Sequence, residues 1–110
     1  MTNSKNPAPA CRVVTQYHSG GERVYELATA DASLELRISS RALGGGERSW
    51  HVAAQPGNAP DSAAIGEEAE TKRGALSKVA AQWTERATEL GLPTLDWTAI
   101  ENALLAVRGI

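Results

Sequence analysis

The chain has 110 residues, 42% hydrophobic and 22% charged, with 13 acidic against 11 basic side chains and a formal net charge of −2. That size supports one hydrophobic core, the composition lies outside the low-hydrophobicity, high-charge regime of disordered chains, and the charge balance excludes a polybasic stripe able to supply non-specific phosphate affinity. The only cysteine, Cys11, excludes an intrachain disulfide framework and zinc sites built on cysteine pairs; a cytoplasmic protein is the expectation, and no membrane is expected as a partner because no apolar run approaches the roughly 18 residues of a bilayer span.

Residues 1–10, "MTNSKNPAPA", combine two prolines with small polar residues and lack an apolar signal-peptide segment, and so read as a disordered N-terminal leader. From Cys11 to Gln55 the sequence alternates with period two and is interrupted by turn signals. "LELRIS" is the clearest strand: Leu34, Leu36 and Ile38 point one way, and Glu35, Arg37 and Ser39 the other, as in a sheet with one wet face. The same alternation places Val13, Thr15 and Tyr17 opposite Arg12, Val14, Gln16 and His18. It places Tyr25 and Leu27 opposite Val24, Glu26 and Ala28, and Trp50, Val52 and Ala54 opposite His51, Ala53 and Gln55.

The joints at Ser19-Gly20-Gly21, Ala30-Asp31-Ala32 and Leu43 to Glu47 are short enough for hairpins, which predicts a four-stranded meander. Gly44-Gly45-Gly46 reads as a hairpin hinge. A phosphate-binding glycine loop runs from a strand into a helix, whereas this triplet leads into the strand around Trp50 with no Gly-Lys-Ser/Thr after it.

"PGNAPDS" ends the strand pattern, and the period then becomes 3.6. Leu76, Val79, Ala80, Trp83, Ala87 and Leu90 line one face of a helix that stops at Gly91 before Pro93. Its start is either at a Thr71 cap or near Ser62, with Glu67, Glu68 and Glu70 read as dipole partners at the helix start. Asp96 caps a second helix, Leu95 and Ile100 form a hydrophobic staple across that cap, and Trp97, Ile100, Leu104 and Val107 form its buried stripe before Gly109. The predicted fold class is α+β: over residues 11–110, a single two-layer domain in which a four-stranded antiparallel β-meander (about 11–55) precedes two α-helices (about 71–90 and 97–108) packed on one face, ββββαα.

Catalytic machinery is not expected. Cys11 and His18 lie seven residues apart on one strand and face opposite ways, and His51 reaches Cys11 only if the first and fourth strands are neighbours. No nucleophile elbow, metal-ligand spacing or cofactor motif is present, so the catalytic, metal and cofactor sets are all read as none. The candidate interaction surface comprises Arg12, His18, Arg37 and Arg41 with His51 on the wet face, and Leu105, which lies about 100° off the buried stripe of the last helix. Val14 and Val24 also fall on that nominally wet side.

These features predict a small non-enzymatic protein-interaction or regulatory domain whose partner is another protein or a second copy of itself, joined through its sheet or C-terminal helix. Across residues 11–90, four antiparallel strands followed by a long helix resemble the element order of the small single-stranded nucleic-acid binders of the positive-cofactor-four, Whirly and PUR kind; the likeness is of element order and includes no shared motif. The resemblance implies nucleic acid as an alternative partner, bound by stacking on exposed aromatic rings. In the predicted pleat Tyr17, Tyr25 and Trp50 all point inward.

Overall fold

The computed structural model describes residues 11–30, 32–57 and 64–110. The expected N-terminal leader therefore lies outside the described residues. The elements in order are β1 (Cys11–Ser19), β2 (Glu22–Thr29), β3 (Ser33–Gly44), β4 (Glu47–Pro56), β5 (Ile65–Ala69), α1 (Lys72–Leu90) and α2 (Trp97–Ala106). All five strands are antiparallel to their neighbours and follow chain order across one sheet, β1-β2-β3-β4-β5.

The α+β class and the meander agree with expectation, but the sheet has five strands rather than four. The fifth occupies the stretch in which Glu67, Glu68 and Glu70 were read as dipole partners of a helix. That reading is corrected: α1 begins after Thr71, whose side chain accepts from the Gly74 N–H at 2.9 Å, and no acidic residue lies in its first turn. Glu67 and Glu68 belong to β5, where Ile65 pairs with Ala54 and Glu68 with His51. In "IGEEA" only Ile65 and Ala69 give an apolar period, and glycine and glutamate are poor strand formers, so pairing with β4 decides the conformation.

One face of the sheet carries the core. Tyr25, Leu27, Leu34, Leu36, Ile38, Val52, Ala54 and Ile65 are buried there against Leu76, Val79 and Trp83 of α1 and Ile100 and Leu104 of α2. With about 1.5–3 kcal/mol from burying each large side chain, this continuous cluster is the main source of stability. Helix α1 lies over β4 and β5, and α2 over β1.

Both helices end as their sequences require. Gly91 is left-handed (φ 69°) and Leu92 N–H donates back to the Ala87 carbonyl at 2.8 Å. Helix α2 closes with the same motif, except that Arg108 holds the left-handed position (φ 58°) and Gly109 N–H reaches the Leu104 carbonyl at 2.7 Å. Gly109 is needed for a different reason: a Cβ there would lie 3.1 Å from the Tyr25 ring, so the C-terminal end of α2 packs directly on that aromatic face.

The predicted face of one strand is reversed. The β1–β2 register shifts between Val13 and Thr15, so β1 carries an extra residue, Val14, as a β-bulge. Before the bulge Cys11 and Val13 face the core as expected. After it the parity inverts, and Tyr17 comes to lie opposite Val24 on the outer face, 43% exposed, rather than in the core. Val24 is fully buried on that outer face, between its cross-strand partners Tyr17 and Arg37. Of the other two predicted inward aromatics, Tyr25 is buried and Trp50 is half-buried, with Lys72 Nζ 5.0 Å from its ring centroid.

Candidate interaction surfaces

The six residues singled out in the sequence occupy five separate places. Arg37 sits at the centre of the outer face, where its guanidinium meets Glu35 at 2.9 Å and Glu22 at 3.1 Å, while Gln55 reaches the same Glu35 oxygen at 3.3 Å. The Glu35 and Glu22 hydrogen bonds push the Arg37 guanidinium still further above its already high range. These donors are already used within the fold. His18 lies at the tip of the β1–β2 hairpin, where its Nε2 accepts from Arg23 at 3.0 Å.

By register the outer face carries Arg12, Arg37 and Arg41 against Glu22, Glu26, Glu35 and Glu68. Tyr17 is the only Phe, Tyr or Trp ring on it among the described residues. Glutamates outnumber arginines on a surface with a single stacking platform, which is unfavourable for a strand of phosphates.

Arg41 and His51 are brought together. His51 stands directly opposite Ser39 on one side and Glu68 on the other, and Arg41 stands opposite Ser49 in the adjacent outward-facing row. With Ser40 these residues line a recess of about 260 Å³. Ser39, Ser49 and Glu68 were not anticipated: Glu68 reads from sequence as a dipole partner at the helix start, and the serines gain meaning only from the β3–β4 register. Ser39, His51 and Glu68 stand in one cross-strand row, and no hydrogen bond joins them among the described residues.

Arg12 lies at the other end of the sheet. It lines a groove of about 520 Å³ between β1 and α2, together with Cys11, Val13, Ala99, Asn102, Ala103, Ala106 and Val107. The groove is mostly apolar, and Arg12 is its only charged lining residue among the described residues. It exists because α2 turns alanines toward the start of β1: Ala99, Ala103 and Ala106 follow a four-then-three spacing that repeats on one helical face. That spacing was the sequence signal for this groove. Leu105 is 40% exposed, as expected of a residue off the stripe, but it lies on the opposite flank of α2 and does not line the groove.

Cys11 forms part of the groove wall, and burial, assisted by the Asp96 charge, pushes its thiol up from the ordinary range. It is not placed as a nucleophile: two strands separate β1 from the strand that carries His51. Among the described residues no group of three or more His, Cys, Asp or Glu side chains is arranged to hold a metal ion, and no helix is long and apolar enough to cross a membrane.

Beside the groove, the outer edge of β1 is bare. β1 hydrogen-bonds to β2 alone, and among the described residues no strand pairs with its other side over nine residues. Val14, at the bulge, is 54% exposed on this edge. The opposite edge is shorter, since β5 has five residues, and Lys78 Nζ donates to its Glu68 carbonyl at 2.9 Å. The two edges thus differ in how far they are protected from further pairing. No family model matches the chain, and no curated protein or solved structure matches it either.

Proposed function

We propose that this chain is a non-enzymatic protein-interaction domain that captures an extended segment of a partner protein by strand addition at β1, with an apolar side chain of that segment seated in the β1–α2 groove. The observation that carries this reading is the conjunction of a nine-residue edge that pairs with no other strand among the described residues and a mostly apolar recess at the same edge. In such recognition the exposed main-chain groups supply affinity and the adjoining pocket supplies selectivity. Arg12 at the groove's rim, with no acidic side chain lining it among the described residues, favours a segment bearing a carboxylate next to its apolar anchor. A second copy of this chain is one candidate partner, through β1 of each protomer.

The test is selection of binders from a random-peptide display library, followed by amide NMR mapping on the full chain. The selected peptides are expected to shift β1 and α2 amides, to slow hydrogen exchange along β1, and to lose binding when their own backbone is N-methylated. Ala106→Glu and Val14→Asp change exposed positions and are expected to weaken binding at least about tenfold without lowering stability. A library that yields no binder, or binders mapping to other faces, would refute the reading.

Single-stranded nucleic acid is the second reading, favoured by the outward turn of Tyr17. It predicts DNA binding that weakens steeply with salt and is lost in Tyr17→Ala.

A further inference from the structure

The recess around Arg41 and His51 is independent of the β1 edge and has a different chemistry. On the outer face, β3, β4 and β5 bring a guanidinium, an imidazole and two hydroxyls to one place. Most other strong hydrogen-bonding groups of this face are used within the fold, as Arg37 and Gln55 show. Here they are not: among the described residues no protein hydrogen bond engages the Ser39 or Ser49 hydroxyl or the His51 ring. The Arg41 guanidinium makes a loose, exposed ion pair with Glu68, whose oxygen at 3.9 Å is too far for a hydrogen bond, so its N–H donors remain open to a ligand.

Gly66 supplies a separate observation. Its φ lies outside the left-handed region, so its backbone conformation does not call for glycine. A Cβ at this position would lie 3.0 Å from His51 Nε2. The missing side chain leaves room for the Nε2 side of the ring to lie over β5 at Gly66, while His51 also lines the recess.

We infer that this recess is a binding site for a phosphate monoester group. A tetrahedral oxyanion accepts hydrogen bonds from several directions at once. Arg41 offers a fork of N–H donors, Ser39 and Ser49 offer hydroxyls from neighbouring rows, and a His51 N–H completes the set. Glu68 lies on the β5 side as an acceptor for a hydroxyl or ammonium group next to the phosphate, which selects phosphorylated small molecules or residues carrying such a donor over a bare polyanion.

The experiment is a titration of the full chain, with His side chains isotopically labelled, by inorganic phosphate and by O-phosphoserine. Sodium chloride replaces ligand to hold ionic strength constant. Expected results are saturable shifts of the His51 ring with His18 unmoved, and tighter binding of O-phosphoserine than of inorganic phosphate. Arg41→Gln should weaken binding at least about tenfold, the equivalent of one charge-assisted hydrogen bond. Arg12→Gln, at the other end of the sheet, should leave it unchanged. Gly66→Ala gives a second route: it should displace the His51 resonances and weaken binding while the far-ultraviolet circular dichroism stays the same. A linear, non-saturating response, equal shifts at His18 and His51, or an Arg41→Gln protein that binds as well as the parent would overturn the proposal.

Discussion

Trp83 and Trp97 provide a paired test of how the helical layer is held to the sheet. Their rings meet edge to face, with centroids 5.6 Å apart and planes inclined at 69°. Their indole N–H groups have opposite fates. Trp83 Nε1 donates to the Pro93 carbonyl at 2.8 Å, tying the middle of α1 to the loop before α2, whereas Trp97 Nε1 is buried without a partner among the described residues. Replacing Trp83 with Phe removes a hydrogen bond of about 1 kcal/mol. It also leaves roughly 40 Å³ unfilled in a core that is nearly closed to solvent, about 1 kcal/mol more. The expected loss is about 2 kcal/mol. Trp97→Phe removes similar ring volume from a half-buried site but also deletes an unsatisfied donor, whose desolvation costs about 1–3 kcal/mol. The two terms offset, and the expected change is near zero. Both variants disturb the same ring pair, so the difference of about 2 kcal/mol isolates the hydrogen-bond state of the two indoles. With a urea m-value of about 1–1.5 kcal/mol/M for a small domain, the two denaturation midpoints should differ by about 1.5 M. Equal midpoints, or a Trp97→Phe variant that is the less stable, would refute the reasoning.

Three further outcomes follow from local geometry. Arg108 holds a left-handed conformation that costs a non-glycine residue about 1–2 kcal/mol; allowing for the added freedom of glycine in the unfolded chain, Arg108→Gly should raise Tm by a few degrees in calorimetry, and a fall in Tm would count against this account of the α2 cap. Because burial and the Asp96 charge raise the Cys11 thiol in the folded state, the fold loses nothing to this group below the unfolded thiol's range of about 8.5. Above that the unfolded chain ionises while the fold does not, so stability declines with rising pH; urea midpoints measured on either side of that range should converge in Cys11→Ala, and an unchanged pH slope would exclude the thiol as the cause. Deleting Val14 should remove the β1 bulge while leaving Cys11 and Val13 facing the core and Tyr17 facing Val24. The straighter edge should pair more readily, giving a mass by light scattering that rises with concentration, and a variant that is unfolded or no more associated than the parent would contradict this view of the bulge.

The elements that are legible in the sequence are those whose pattern is local and uninterrupted. Leu34, Leu36 and Ile38 alternate without exception and are all buried, and Leu76, Val79 and Trp83 keep helical spacing and are buried with them. Thr71 and Asp96 cap the helices through their own side chains. By contrast, β5 has no strong local signal, because Gly66, Glu67 and Glu68 favour other states and the strand forms by pairing with β4. The Arg41–His51 recess was half legible for the same reason: the residue types stand out, but Ser39, Ser49 and Glu68 join them only through cross-strand register, which pattern alone does not state.

The bulge at Val14 shows how one residue can redirect a surface. Alternation in "CRVVTQYHS" places Val13, Thr15 and Tyr17 on one face, and that is sound as long as the pleat is unbroken. A single extra residue reverses every side chain beyond it. The reversal here fits the packing on both faces. It keeps Cys11 and Val13 under α2, and it takes Tyr17 out of the core to a place beside Val24, an aliphatic side chain that the core does not cover. The outer face thereby gains a small apolar centre flanked by the Arg37 ion pairs, and β1 gains a kinked edge. A bulge on an edge strand deters indiscriminate pairing. In β1 it lies just past the groove-lining residues Cys11, Arg12 and Val13, so the kink falls between the groove and the rest of the edge and disfavours flat, indiscriminate pairing along the whole strand.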